Sequence, residues 1–155
     1  EQASQKGIPA VIDADAINAL PEGAWPTGLQ GVATPHAKEA ERWLAGASPA
    51  EALADCTGES ATIVITGSED TLTGPEGRFC RATGGHSRMA VGGTGDLLAG
   101  TIGGLLAQGM SAWPAARLGC ALLREAGTRA AEKTGPGLLA EDVPVEIARV
   151  LAEWT

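Results

Sequence analysis

The apolar positions of this chain change their period along its length, and each change marks an element. Ile8 to Ile12 (IPAVI) is a short apolar run closed by Asp13, Asp15 and Asn18, which predicts a buried strand with polar groups at its carboxyl end. Leu29 to Thr34 repeats that pattern in weaker form. Ala61 to Ile65 (ATIVI) is β-branched and too apolar for an exposed face, so it predicts a central strand. Between them, Ala37, Ala40, Trp43 and Leu44 fall at helical spacing from His36 to Gly46, with Gly46 placed to end the helix. Ser48-Pro49-Ala50-Glu51 is a capping-box start with proline at the first helical position, predicting a short helix to about Ala54.

Asp70 to Thr73 and Arg78 to Arg81 flank Gly74-Pro75 and Gly77, the pattern of a β-hairpin. Gly84 to Gly95 reads as a glycine-rich loop. The run DLLAGTIGGLLAQ predicts a helix from Asp96 to Gln108, and Ser111 with Pro114 opens another reaching about Lys133. After Pro136 and Gly137, residues Val143, Ile147, Val150, Leu151 and Trp154 align on one side of a last helix. Strands followed by helices in this order predict an α/β sheet with helices on its faces. No repeat, low-complexity segment or linker divides the chain, so one domain is expected over residues 1–155. The strands are few for a parallel sheet and the first lacks a preceding partner, which predicts a portion of a larger domain.

Composition narrows the class. With 44% hydrophobic residues, a chain of 155 residues can bury a core without disulfides or structural metals. A formal charge of −8 argues against a nucleic-acid partner, which needs a basic face. Cys56, Cys80 and Cys120 are odd in number and widely spaced, fitting neither a disulfide framework nor a zinc site, and a cytoplasmic setting is expected. No apolar run approaches the roughly 20 residues of a membrane span, and the opening EQASQKG lacks the order of a signal peptide. The 22 glycines, many between Gly58 and Gly109, mark a region of turns or of close backbone approach.

The candidate chemistry lies in VGGTGDLLAG, residues 91–100. A helix N-terminus exposes unpaired N–H groups and a partial positive charge, and Gly92, Gly93 and Gly95 would let a phosphate reach them. Asp96 falls in the first turn, either as a helix cap or as a base for a substrate hydroxyl. No G-K-[ST] follows the glycines and no dinucleotide fingerprint surrounds them, so the segment is neither a P-loop nor a Rossmann turn. Gly100, Gly103 and Gly104 should each cost the helix about 1 kcal/mol against alanine, which suggests that packing or function retains them.

Taken in order, VIDADAIN (11–18), TPHAKEAERWLAG (34–46) and MAVGGTGDLLAGTIGGLLAQG (89–109) resemble the carboxyl-terminal part of the ADP- or ATP-dependent NAD(P)H-hydrate dehydratase family, from about Ile8 to Leu151. The resemblance implies a ribokinase-like three-layer α/β/α fold lacking its amino-terminal half. It implies repair of hydrated NADH and NADPH, in which a nucleotide phosphorylates the hydrate hydroxyl and loss of phosphate restores the ring double bond. Asp96 would contact the hydrate as its base, and His36 and Asp15 would bind the substrate. Thr66, Gly67, Ser68, Ala90, Val91, Gly92, Gly93, Thr94 and Gly95 would hold ADP or ATP. Glu39 would sit near magnesium through water. For His36 a helix-start hydrogen bond, and for Asp13, Asp15 and Asn18 a turn or cap, remain alternative readings.

Three features depart from the family pattern. Thr66 stands where a lysine is common, Gly85-His86-Ser87-Arg88-Met89 replaces a Gly-Asn-Pro-Gly-Met segment, and the amino-terminal half is missing. Two other functions stay open on the sequence: a kinase of a small alcohol or vitamin precursor, and a catalytically silent nucleotide-binding or assembly domain. A homo-oligomer or an amino-terminal partner segment is left open as well.

Overall fold

A computed structural model describes residues 2–155; residue 1 of the expected domain lies outside the described residues. In chain order the regular elements are α1 (Gln2–Lys6), β1 (Ala10–Ile12), β2 (Gly31–Ala33), α2 (Ala37–Leu44), α3 (Pro49–Ala52), β3 (Ala61–Ile65), β4 (Asp70–Thr73), β5 (Phe79–Ala82), α4 (Thr94–Ala107), α5 (Ala112–Thr134) and α6 (Val143–Trp154). Short 3-10 turns occupy Ala14–Ala19 and Ser87–Met89, the second inside the expected glycine-rich loop. Every strand and helix expected from the hydrophobic pattern forms. The helix α1, which buries no residue, carried no apolar period to reveal it.

The five strands form one sheet in the order β1-β2-β3-β4-β5. β1, β2 and β3 run parallel, and the β4–β5 hairpin joins them antiparallel. Alternate residues of the parallel strands serve opposite faces. Val32 and Val64 join α4, α5 and α6 in one core, while Ile12, Ala33, Ala61 and Ile63 join Trp25, Trp43, Leu44 and Leu53 in the other. The result is the expected three-layer α/β/α arrangement.

Local signals explain where the helices begin and end. Ser48 and Glu51 close a reciprocal capping box on α3, and His36 and Glu39 do the same on α2. The stop of α2 differs from expectation: Ala45, at φ 48°, takes the left-handed position one residue before Gly46. Ser111 does not cap α5 with its side chain; its hydroxyl donates to Glu59 at 2.5 Å instead. On α6 the buried face holds Val143, Val150 and Glu146, while Trp154 is half exposed. Glu146 is tolerated there because Lys133 Nζ bonds both carboxylate oxygens at 2.8 Å and Arg149 reaches it too, holding its carboxyl below the ordinary range.

The glycines inside α4 are not all held by packing. A Cβ on Gly103 would make ordinary contact with Val11 at 3.7 Å, but one on Gly100 or Gly104 would meet nothing within 4 Å. Each of Gly100→Ala and Gly104→Ala is therefore expected to stabilise this chain by about 0.5–1 kcal/mol, raising Tm by about 2–4 °C per kcal/mol. A fall in Tm on calorimetry would show that some close contact excludes a methyl group there.

Candidate functional site

The carboxyl ends of β2 and β3 and the N-terminus of α4 meet at one edge of the sheet. The chain leaving β3 stays paired with the chain leaving β2: Thr66 N donates to Pro35 O at 2.9 Å, and His36 and Thr66 form a parallel bridge. Beyond this point opens a cleft of about 730 Å³. His36, Thr66, Gly67, Ser68 and Asp70 line it from the strand side, and Gly84 to Ser87, Met89 and Ala90 from the glycine-rich segment. Thr94, Gly95 and Leu98 of α4 and Leu123 and Arg124 of α5 complete it. Its position, outside the carboxyl ends of parallel strands, is where ligands bind in open α/β sheets.

The start of α4 leaves its backbone amides open. Gly93 is the N-cap residue at φ 94°, a conformation open to glycine, and it offers no side chain to the helix amides. The Thr94 hydroxyl turns back to donate to Val91 O at 3.0 Å. Leu97 N is the first amide to bond back, to Gly93 O at 3.1 Å. The N–H groups of Gly92 through Asp96 have no acceptor among the described residues. A Cβ on Gly92 or Gly95 would meet nothing within 4 Å, so the approach to these amides is clear. Asp96 is exposed and its carboxylate makes no hydrogen bond among the described residues, so the helix-cap alternative is not the conformation adopted.

His36 does take the helix-start conformation. Its Nδ1 accepts from Lys38 N at 3.1 Å and Glu39 N at 3.3 Å. In the neutral ring this places the proton on Nε2, and the residue lines the cleft. Capping therefore uses Nδ1 and leaves the other ring nitrogen outside the cap's backbone hydrogen bonds. His86 is arranged in the same way, its Nδ1 accepting from Arg88 N at 3.1 Å while the ring lines the cleft. Glu39 Oε2 accepts from His36 N at 2.9 Å and Oε1 lies 3.6 Å from His36 Nε2, so this carboxylate is largely committed to the cap.

Of the residues expected at the site, the cleft gathers His36, Thr66, Gly67, Ser68, Ala90, Thr94 and Gly95. Val91, Gly92, Gly93 and Asp96 adjoin it in sequence without lining it. Asp15 and Glu39 are not among the lining residues; Asp15 is exposed on a 3-10 turn after β1. In that turn Asp13 has a structural partner, accepting from Thr34 Oγ1 at 2.9 Å. Arg88, in the segment that departs from the family pattern, is exposed and outside the lining.

The cleft also contains two residues the sequence did not single out, Asp70 at the start of β4 and Arg124 in the middle of α5. They are 54 positions apart, and Arg124 sits in an ordinary amphipathic helix pattern, so no spacing linked them. Arg124 Nε donates to Asp70 Oδ2 and Nη2 pairs with Oδ1, both at 2.8 Å, and the two side chains are only 12% and 9% exposed. One turn earlier on α5, burial first and the Asp70 carboxylate second push the Cys120 thiol far above its ordinary range, which excludes it as a nucleophile.

Comparison with known proteins gives the lineage. A description of the NAD(P)H-hydrate dehydratase family matches residues 1–149. An ADP-dependent (S)-NAD(P)H-hydrate dehydratase of Xanthomonas campestris is 35% identical over 150 residues, covering 91% of this chain and 51% of that protein. A bifunctional NAD(P)H-hydrate repair enzyme of Mycobacterium leprae is 33% identical, covering 97% of this chain and 32% of its own length. The chain thus spans about half, or less, of the curated relatives it matches. Among solved structures, a ribokinase-like superfamily protein of Enterococcus faecalis superposes with TM-score 0.76 at 26% identity over 99% of this chain and 59% of its own. The ADP/ATP-dependent NAD(P)H-hydrate dehydratase of Bacillus subtilis, co-crystallised with ATP and magnesium, superposes with TM-score 0.74 at 23% identity over 95% of this chain and 55% of its own. With a ribokinase-like sheet, a cleft at its carboxyl edge and a family match over nearly its whole length, this chain belongs to the NAD(P)H-hydrate dehydratase family.

Proposed function

We propose that the chain serves the nucleotide-dependent dehydration of NAD(P)H hydrate, with ADP or ATP bound in the cleft and Asp96 as the base. The observation that carries this reading is the row of N–H groups from Gly92 to Asp96, beside the Asp96 carboxylate, with no hydrogen-bond partner among the described residues. The hydrate hydroxyl attacks the terminal phosphorus of the nucleotide and gives its proton to Asp96, while the bond from phosphorus to the bridging oxygen breaks. Negative charge developing on the transferred group falls on the helix amides, which are already oriented and need no reorganisation. Departure of the phosphate, with loss of a proton from the adjoining ring carbon, then restores the double bond. Nε2–H of His36 and of His86 supply further donors to the substrate or the nucleotide. Asp15 and the 91–93 segment belong to this proposal as contacts made by ligands that extend past the cleft.

Magnesium fits this arrangement only as a companion of the nucleotide. Among the described residues no group of three or more His, Cys, Asp or Glu is placed to hold a metal ion, and Glu39 has one carboxylate oxygen outside its backbone hydrogen bond. Magnesium keeps several waters and binds through phosphates with one or two carboxylates, so Glu39 would meet it through water, where the ion neutralises phosphate charge. We also propose a cytoplasmic setting, supported by the free thiols of Cys56, Cys80 and Cys120. No described helix is long and apolar enough to cross a membrane.

Incubation with NADH hydrate and each nucleotide, followed by NADH absorbance, tests the reading. Recovery of NADH that depends on ADP or ATP is expected. Binding of ADP without recovery would identify a silent nucleotide-binding domain. The phosphate site has its own test in Gly93→Val. A β-branched residue cannot adopt φ 94° without strain, and its Cβ would lie 3.1 Å from Ala140 Cβ. Calorimetric ADP affinity should fall by roughly tenfold or more, equivalent to about 1.4 kcal/mol; unchanged affinity would put the phosphates elsewhere.

A further inference from the structure

The guanidinium of Arg124 is turned onto the protein by four hydrogen bonds and a second close contact with Asp70. Besides the bond and the ion-pair contact to Asp70, Nη1 donates to Ser68 O at 2.9 Å and to Gly84 O at 2.6 Å, and Nη2 donates to Gly67 O at 3.1 Å. Asp70 Oδ1 in turn accepts from Gly67 N at 3.1 Å. A fork so engaged is committed to the protein rather than presented to a phosphate, and the paired carboxylate offsets its charge. What Arg124 does hold are two separate stretches of backbone, Gly67 to Ser68 after β3 and Gly84 after β5, which approach the cleft from different elements.

The loop conformations are shaped to meet it. Gly84 and Gly85 are both left-handed, at φ 83° and 85°, and a Cβ on Gly85 would come within 3.4 Å of Arg124 Nη1. One turn along α5, a Cβ on Gly127 would lie 2.5 Å from Met89 Sδ, so the bare backbone there seats the far end of the same glycine-rich segment. The segment is clamped to α5 at both ends, by Arg124 and by the Met89–Gly127 contact. Beyond Met89 lie the amides of Gly92 to Asp96.

We infer that Arg124, locked by Asp70, is a positioning residue that sets the separation of the two loops between which the nucleotide lies. The inference rests on the cleft being the nucleotide site. Removing the guanidinium frees the carbonyls of Gly67, Ser68 and Gly84 at once, so both loops loosen together and nucleotide binding must first reorder them. Asp96 stands on α4 and makes no contact with this network, so the chemical step with bound nucleotide is spared.

Arg124→Met and Arg124→Lys test this, beside Ile147→Ala on α6 as a distant destabilising control. Lysine keeps the charge opposite Asp70 and with it the fold, but its three donors cannot reach all the acceptors. Hydrogen exchange should accelerate by roughly tenfold or more at amides 67–70 and 84–86 in both Arg124 variants, while β3 and α5 stay protected. The KM for ADP should rise by about tenfold, which corresponds to about 1.4 kcal/mol, with kcat within a factor of about three. Arg124→Lys should fall between wild type and Arg124→Met, and Ile147→Ala should lose Tm without moving KM. Unchanged exchange at either loop in folded Arg124→Lys, or an unchanged KM, overturns the inference. If the wild-type chain binds no nucleotide, the reading of the cleft fails, and exchange alone decides the role of Arg124.

Discussion

Asp96→Asn is expected to slow nucleotide-dependent recovery of NADH by roughly 10²–10⁴-fold, the usual contribution of a positioned general base. The same substitution should leave Tm and nucleotide affinity nearly unchanged, because the carboxylate makes no hydrogen bond among the described residues and the first turn of α4 is capped by Gly93 without a side chain. Asparagine keeps the size and removes only the capacity to take a proton. A residual effect of a few tenths of a kcal/mol is expected from loss of a negative charge in the first helical turn, where it favours the helix dipole. Turnover and melting temperature measured on one preparation separate the roles. Near-normal turnover in a folded Asp96→Asn protein would sink the assignment of the base, since no stability effect could then be hiding a catalytic one.

Gly31→Ala should be the most damaging single methyl in the chain, with a loss of roughly 4 kcal/mol or more, in the diagnostic tail of single-substitution effects. Gly31 is buried at the start of β2 with φ 150°, in register with Ala10 of β1. A Cβ there would overlap the carbonyl oxygen of Ala10. That atom is backbone, so it cannot swing aside as a side chain would. Relief requires β1 and β2 to separate, which would also open the Ile12, Ala33 and Trp43 core and displace the strand end that carries Thr34 and His36. Denaturant unfolding followed by tryptophan fluorescence measures the loss. A midpoint within about 1 kcal/mol of wild type, a typical point-mutant effect, would mean that β1 does not sit against β2 in this register.

Much of the architecture was legible because it rests on local rules. The continuous apolar run of Ala61 to Ile65 can only be a strand buried on both faces, and it forms the centre of the sheet. The hairpin from Asp70 to Ala82 and the capping boxes at His36 and Ser48 follow from residues a few positions apart. So do the glycines that leave the α4 amides open, which is why an accessible helix start could be read from VGGTGDLLAG.

Tertiary structure decided what depends on distant residues meeting. Trp154 keeps the period of the apolar face on α6 but falls beyond the body of the domain, while Glu146 enters that face because Lys133 on α5 neutralises it. Asp96 could equally have capped its helix; the backbone chose Gly93 for that position and left the carboxylate unengaged. Asp15 and Glu39 carried suggestive positions in the sequence, but the packing leaves both outside the lining of the cleft. The Arg124–Asp70 pair lay beyond any local pattern, because its partners come from β4 and α5 and from two loops, one after β3 and one after β5 with left-handed Gly84 and Gly85. Hydrogen-bond periodicity and steric limits act within a few residues and can be read along the chain, whereas a buried charge finds its partner only when packing brings separate elements together.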